Sequence, residues 1–267
     1  MTKRTSVFAI GLAVGILFAR GASAQSLSYV GSDAIKTGII DEASKSFQKK
    51  TGVVFTAVDA ALGQAKGFKA MLEGKFTLVG MTRLPNAEEK KSKPYFKVIG
   101  YDGLAIAVNA KNPVKNLTKD QMKGIYTGKT TNWKQLGGPD AAITVYADST
   151  KTATPDQIKA LINDGEPLGA MKGFPSNDEP LAATGTDVGG IYVTSLLFVE
   201  ASKAVHVVSL DGVLPSLASI RSGDYLLTRP LAFASAAAPT GELKAFYEYM
   251  ISDEGQKIVA KQFVTLK

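Results

Sequence analysis

Cysteine is absent from this 267-residue chain, and histidine and tryptophan occur once each. Without cysteine there is no disulfide, no thiol nucleophile, no cysteine-bound metal and no residue for a lipid-anchored start. The one histidine, His206, alternates with apolar residues in KAVHVVSL and is interpreted as a strand residue rather than a catalytic base. A hydrolase triad and a histidine-rich metal site are therefore disfavoured. The sequence predicts a protein that is not an enzyme and holds neither metal nor cofactor.

Nucleotide-binding fingerprints and strong charge are lacking as well. Gly63-Gln64-Ala65-Lys66-Gly67 does not have the spacing of a phosphate loop or a dinucleotide fingerprint. Glu88-Glu89 stand beside Lys90 and Lys91, and we interpret this run as a solvated helix face. The net charge of +7 is modest. No basic patch is interleaved with aromatic residues, so nucleic-acid binding is not predicted.

The amino terminus has the features of a secretory signal peptide. Lys3 and Arg4 precede an apolar run, residues 6–19, that is too short to span a bilayer comfortably. A small-residue A-x-A site follows and ends at Ala24. We expect cleavage after Ala24 and a periplasmic location, with an uncleaved anchor as the alternative. Removal of residues 1–24 lowers the net charge from +7 to +4.

After residue 24 the sequence alternates strand-like and helix-like segments, which predicts an α/β fold with mainly parallel sheets. Strands are predicted at 27–30, 53–58, 78–80, 101–109, 143–146, 205–210 and 226–234. Helical patterns cover Ile35–Phe47, Phe68–Leu72, the segments after Thr118 and Thr154, Pro215–Ser222 and Thr240–Gln262, with a break near Ser252. No repeat or long linker separates them, which is consistent with two lobes joined by crossing strands.

Capping chemistry marks two of these helix starts. Thr118 with Gln121 three residues later is typical of a capping box. Thr154, Pro155 and Gln157 fit the N-cap, N1 and N3 positions of another helix.

Three strand-to-helix turns are candidates for anion binding: residues 31–33, 59–67 and 148–154. Backbone N–H groups at a helix N-terminus lack intrahelical partners, and the helix dipole favours negative charge there. Side-chain hydroxyls at Ser32 and in the third turn, including Thr152, would add neutral donors. Serine and threonine in such turns often serve only as helix caps, and that alternative stays open.

Residues 102–138, DGLAIAVNAKNPVKNLTKDQMKGIYTGKTTNWKQLGG, resemble the phosphate-binding periplasmic proteins of ABC importers, the PstS-like group. The shared landmarks are DGLAIAVN, NP, NLT, TGKTTNW and LGG. The resemblance continues in DGVLPSLASIRSGDYLLTRPLAF and FYEYMISDEGQKIVAKQFVTL and covers nearly all of the chain after residue 24. It implies a two-lobed type II periplasmic-binding-protein fold, each lobe a mainly parallel sheet flanked by helices, that closes around its ligand.

The resemblance also implies the domain organisation and the function. Lobe I would comprise residues 25–104 and 228–267, and lobe II residues 105–227, after the signal peptide. The protein would be a monomeric solute-binding component of an ABC importer that binds phosphate or a related oxyanion. Its protein partners would be a permease and the ATPase of that importer. The alternative is the same fold used for another small molecule, or as a sensor or scaffold without phosphate binding.

Ligand residues implied by the resemblance fall on four loops. The loops are Gly31–Ala34, Gly63–Gly67 before the FKAMLEGK helix, Leu78–Arg83 and the stretch YADSTKT. The implied ligand residues are Ser32, Asp33, Gly63, Gln64, Thr82, Arg83, Ser149, Thr150 and Lys151. Gln64 stands where the family carries a ligand serine.

The fourth loop departs from the family pattern Arg-x-x-x-Gly-Ser-Gly-Thr. Its arginine and glycines are missing, so we expect Lys151 to supply a point charge where the family has a two-pronged donor. A dibasic phosphate also needs an acceptor for its proton, for which Asp33, Asp59 and Asp148 are the candidates. Asp102 in DGLA is interpreted as part of a structural turn near the hinge.

Overall fold

The protein's computed structural model describes residues 26–148, 153–175, 178–199 and 202–266. The described strands are β1 Leu27–Gly31, β2 Phe55–Asp59, β3 Leu78–Met81, β4 Tyr95–Asn109, β5 Asn116–Leu117, β6 Thr144–Asp148, β7 Lys172–Phe174, β8 Gly190–Ser195, β9 Val205–Leu210 and β10 Thr228–Ser235. The described helices are α1 Asp33–Ile35, α2 Asp41–Thr51, α3 Gly63–Leu72, α4 Ala87–Lys91, α5 Lys119–Tyr126, α6 Thr154–Leu161, α7 Asp178–Thr186, α8 Leu196–Val199, α9 Leu217–Ser222, α10 Gly241–Ile251 and α11 Asp253–Val259. A π-helical segment, Lys36–Ile40, links α1 to α2, and Trp133–Leu136 forms a 3₁₀ turn.

The first half of the sheet has the strand order β2-β1-β3-β10-β4. β1 runs parallel to β2 and β3, whereas β10 is antiparallel to β3 and β4. Helices α2 and α10 cover one face, where Phe47 and Phe246 meet edge to face with ring centroids 5.2 Å apart. Both rings belong to the apolar core of this lobe, which their burial stabilises.

The second half of the sheet continues from β4 in the order β4-β8-β6-β7, with β9 also paired to β4. β6 is parallel to β7 and β8, and β8 and β9 are antiparallel to β4. A second apolar core contains the fully buried Trp133, whose indole N–H donates to the Gly189 carbonyl at 2.9 Å. A large apolar core in each half of the sheet, together with helices on a sheet of mixed pairing, confirms the α/β class and the two-lobed fold.

Strand β4 belongs to both halves. Its residues Tyr95–Gly103 pair with β10, and Leu104–Val108 pair with β8. The lobe bounds 25–104, 105–227 and 228–267 remain a prediction, although the change of partner lies next to the first of them.

The observed helix ends can be compared with the predicted capping residues. The capping box at Thr118 is confirmed, since its hydroxyl accepts from Gln121 N–H and the Gln121 side chain accepts from Thr118 N–H. The N-cap prediction at Thr154 is wrong, because Thr154 is the first helical residue of α6 and Ala153 precedes it without a side-chain cap. The break at Ser252 is confirmed, since this residue ends α10 and caps α11.

The predicted signal peptide lies outside the described residues. Within the part of the chain that the structure describes, no helix is both long and apolar enough to cross a membrane.

Candidate functional site

A cavity of about 290 Å³ lies between the two halves of the sheet. The first lobe contributes Ser32, Asp33, Gly63, Gln64 and Thr82 to its lining. The second lobe contributes residues at the ends of β6 and β8 and the starts of α6 and α7, among them Asp148, Thr154, Asp178 and Thr194. Five of the nine predicted ligand residues therefore meet at one cavity.

The loop after β1 is fixed by close backbone contacts. The Ser32 N–H donates to the Gly80 carbonyl at 3.0 Å, and the Tyr29 hydroxyl donates to the Ser32 carbonyl at 2.6 Å. Gly31 has a φ of +132°, and a Cβ there would collide with the Gly80 backbone, so only glycine allows this approach. The Ser32 side chain is thereby held at the cavity.

Gln64 is a helical residue, which corrects the prediction of a loop at Gly63–Gly67. Helix α3 begins at Gly63, and the buried Gln64 side chain lies in its first turn. Its Oε1 accepts from the Thr82 N–H at 2.7 Å, and its Nε2 donates to the Thr82 hydroxyl at 3.0 Å. Both functional atoms of the amide are thus used to fix Thr82.

Thr82 also connects the two lobes. Gln157, in the first turn of α6, donates through Nε2 to the Thr82 carbonyl at 2.7 Å. The bond crosses the cleft, so one threonine joins α3 of the first lobe to α6 of the second.

Arg83 does not belong to the described lining of the cavity. Its Nη1 and Nη2 donate to the two carboxylate oxygens of Glu89 at 2.6 and 2.7 Å. The interpretation of Glu89 as part of a solvated face is wrong, since its side chain is only 10% exposed. Burial raises the pKa of Glu89, but hydrogen bonds from Arg83 and the Asn86 N–H outweigh this effect and hold the pKa below its usual value. A ligand role for Arg83 remains an untested prediction.

The second-lobe wall carries a carboxylate. Asp148, the last residue of β6, is buried at the cavity, and the Tyr192 hydroxyl donates to its Oδ2 at 3.3 Å. Burial, followed by the charge of Asp148, raises the pKa of Tyr192, so this phenol stays protonated as a donor. Ser149, Thr150 and Lys151 lie outside the described residues, and so does Thr152.

The three candidate proton acceptors are placed differently. Asp33 and Asp148 line the cavity. Asp59, the last residue of β2, is absent from the described lining, and its side chain accepts from the Ala61 N–H at 2.6 Å in the turn that follows the strand.

Among the described residues, the lining contains a cation that the sequence analysis missed. Arg229, on β10, lines the cavity and is 5% exposed. Its Nε donates to Oδ2 of the buried Asp102 at 2.8 Å, its Nη2 forms an ion pair with the same oxygen at 2.7 Å, and the Ser195 hydroxyl donates to Oδ1 at 3.0 Å. Burial raises the pKa of Asp102, and the guanidinium opposes that shift. Asp102 is therefore the counter-ion of a buried arginine.

No metal centre accompanies this arrangement among the described residues, which contain no group of three or more histidine, aspartate or glutamate side chains suited to a metal ion. The cavity offers a guanidinium, hydroxyls, an amide and carboxylates. Such groups can bind and orient a polar ligand.

Family comparison agrees with this geometry. Residues 19–254 match the family described as the PBP superfamily domain. The chain belongs to the PBP superfamily. Among curated relatives of this PBP-superfamily chain, the phosphate-binding protein PstS of Bacillus subtilis is 29% identical over 240 residues, which are 88% of this chain and 78% of the relative. Protein SphX of Synechococcus elongatus is 27% identical and covers 85% of this chain and 74% of its own length.

Solved structures repeat the fold. A Clostridium perfringens protein, described as a phosphate ABC transporter substrate-binding protein with bound phosphate, matches with a TM-score of 0.81 and 29% identity. The match covers 91% of this chain and 100% of the Clostridium perfringens chain. An ABC-type phosphate transport receptor from Vibrio cholerae has a TM-score of 0.76 at 23% identity, covers 90% of this chain and 99% of its own, and supports the fold alone.

Proposed function

We propose that this chain is an extracytoplasmic solute-binding protein of an ABC importer that binds phosphate or a related oxyanion between its lobes. The observation that carries the proposal is the cavity in the cleft, where hydroxyls of Ser32 and Thr82 lie with the buried guanidinium of Arg229. Neutral donors together with one cation suit a tetrahedral oxyanion. The phosphate bound by the Clostridium perfringens relative supports the same ligand class.

The protein would act as a carrier and not as an enzyme. The described lining of the cavity contains no histidine, and a lysine or cysteine nucleophile is likewise missing from it. Binding followed by lobe movement needs none of these groups.

Calorimetry on residues 25–267, freed of bound ligand by unfolding and refolding, tests the proposal. Phosphate, arsenate, sulfate and methylphosphonate are titrated separately into the refolded protein. We expect heat with a dissociation constant of about 1 μM or lower for at least phosphate, equivalent to roughly 8 kcal/mol of binding free energy. The absence of heat with all four anions would refute the proposal.

A second candidate is the same fold serving a different small molecule, or a sensor or scaffold. Three carboxylates, Asp33, Asp148 and Asp178, belong to the described lining and favour a ligand with less negative charge than dibasic phosphate. A thermal-shift screen of neutral and cationic polar metabolites distinguishes the two. Binding of a different small molecule is supported if such a compound raises the melting temperature of the protein whereas the four anions do not.

Partners and location follow from the proposed role. The binding protein would deliver its ligand as a monomer to a permease whose ATPase it stimulates. Reconstituted permease and ATPase should hydrolyse ATP faster when the loaded protein is added. Mass spectrometry of the exported protein should find an amino terminus at Gln25, and a chain that begins at Met1 would contradict the predicted cleavage.

A further inference from the structure

We propose that Arg229 is the cation that holds the anionic ligand, and that Asp102 and Ser195 are positioning residues for its guanidinium. This inference rests on the proposed oxyanion-binding function and names the residue that would recognise the anion. It moves the expected charge from the YADSTKT loop of the second lobe to a strand that connects the lobes.

The Arg229 guanidinium has more N–H donors than Asp102 engages. Arginine carries five N–H donors in a rigid fork. The Nε donor goes to Oδ2 of Asp102, and Nη2 forms an ion pair with the same oxygen at 2.7 Å, so this carboxylate engages at most two of the five N–H donors. Because Arg229 is 5% exposed and lines the cavity, a ligand in the cavity could accept from the donors that Asp102 does not engage.

The charges of the described lining point to the same residue. Among the described residues that line the cavity, Arg229 is the only one with a positive side chain, while three aspartates have negative ones. An anion placed near Asp33 and Asp148 is repelled by both, and in a partly buried site this repulsion is stronger than in water. A bound oxyanion would therefore be drawn to the guanidinium.

The position of Arg229 is set by backbone and side-chain contacts. Arg229 lies opposite Asp102 in the register of β10 and β4, so two paired strands hold the arginine and its counter-ion together. Ser195 at the end of β8 donates to the other carboxylate oxygen of Asp102 at 3.0 Å and prevents the carboxylate from rotating away. A binding group on paired strands is more precisely placed than one on a loop.

The ligand class follows from the donor. A planar fork suits two oxygens of one tetrahedral oxyanion, such as phosphate, arsenate or a phosphonate. Lysine at this position would offer a point charge without the fork, so charge and geometry can be separated by substitution.

Nuclear magnetic resonance on the unaltered protein provides the direct test. Only three arginines follow residue 24, namely Arg83, Arg221 and Arg229, so arginine-selective ¹⁵N labelling of residues 25–267 gives three Nε–H signals. Single Arg→Lys variants assign them. Upon titration with inorganic phosphate, the Arg229 signal should move the furthest and with the affinity found by calorimetry. A shift confined to the Arg83 signal would overturn the proposal.

Calorimetry with variants completes the test. Arg229→Lys should bind phosphate about 10-fold more weakly, and the double variant Arg229→Gln/Asp102→Asn, which avoids an unpaired buried charge, about 100-fold more weakly. Arg221→Gln, an exposed arginine in α9, is the matched control and should bind like the unaltered protein.

The outcomes separate the two proposals. If the unaltered protein binds phosphate and both Arg229 variants bind within twofold of it, this inference fails and the proposed function stands. If the unaltered protein binds none of the oxyanions, the proposed function fails and this inference fails with it. If the double variant does not fold, the Arg229 signal in the unaltered protein decides.

Discussion

Two arginine–carboxylate pairs of this chain show what burial does to a charge. Arg83 and Glu89 form a two-pronged pair beside the cavity, with side chains 15% and 10% exposed. Arg229 and Asp102 form a tighter-buried pair at the cavity, with side chains 6% and 2% exposed. Water still reaches the first pair, and hardly reaches the second. The same chemistry should therefore contribute little in one place and be costly to disturb in the other.

The largest expected effect is on stability when Arg229 is removed alone. Arg229→Ala leaves the buried Asp102 without its counter-ion, so the carboxyl must either carry an uncompensated charge or take up a proton, and the free energy of unfolding should fall by about 3–5 kcal/mol. Urea unfolding followed by circular dichroism measures it, with Arg221→Ala as the exposed control. A loss below about 1 kcal/mol would show that the pair behaves like a surface salt bridge.

Loss of the buried but uncharged contact between Gln64 and Thr82 should have the second largest effect on stability. Gln64→Ala removes the acceptor of the buried Thr82 N–H, which should lower the free energy of unfolding by about 1–3 kcal/mol. The matched control is Gln48→Ala, because Gln48 is exposed on α2. If Gln64→Ala were as damaging as Arg229→Ala, burial alone and not buried charge would explain the difference between the arginine pairs.

The bond across the cleft should rank third and affect binding more than folding. Gln157→Ala removes the donor to the Thr82 carbonyl, which lies between the lobes, so the ligand affinity should fall by about 1 kcal/mol, or about fivefold. Calorimetry with phosphate measures this loss, and the midpoint of urea unfolding should stay nearly unchanged. Equal affinity in the variant would mean that the bond adds nothing to the ligand-bound arrangement.

The less deeply buried pair, Arg83 and Glu89, should have the smallest effect on stability, and that effect should depend on pH. The pKa of Glu89 is lowered in the folded protein from its usual 4.5, so its contribution is present above pH 4.5 and is lost as the pH falls through the lower folded value. Glu89→Gln should thus cost about 0.5–1 kcal/mol at pH 7 and less at pH 3.

The neighbouring Glu88→Gln is the control for this measurement, since the Glu88 side chain is 80% exposed. A cost of Glu89→Gln that is the same at pH 3 and pH 7 would contradict the assignment to an ionised pair.

Local signals in the sequence predicted most of the fold. The capping box at Thr118 and the break at Ser252 depend on residues within one helical turn, and both were found. The strand Gly190–Ser195 was missed, since the sequence analysis assigned no element between the helix after Thr154 and the strand at 205–210. Thr154 shows the limit of capping rules, since a threonine before proline can be the first helical residue as well as the cap.

The candidate site was predicted in part. Ser32, Asp33, Gly63, Gln64 and Thr82 were predicted from the family resemblance, and all five line the cavity, each at the start of a helix or just after a strand. The pairing of Arg229 with Asp102 joins residues 127 positions apart, and nothing local to the sequence TRPL reveals it. Arg83 was one of the predicted ligand residues, whereas its pairing with Glu89 became clear only in three dimensions.

The passage of β4 from one lobe to the other has a mechanical consequence. Its partner changes from β10 to β8 between Gly103 and Leu104, one residue beyond Asp102, so any pivot of the lobes has its axis near this point. Atoms close to an axis of rotation travel least. We therefore expect the guanidinium of Arg229 to move little when the cleft opens or closes, so that an incoming anion would meet a binding group already in position.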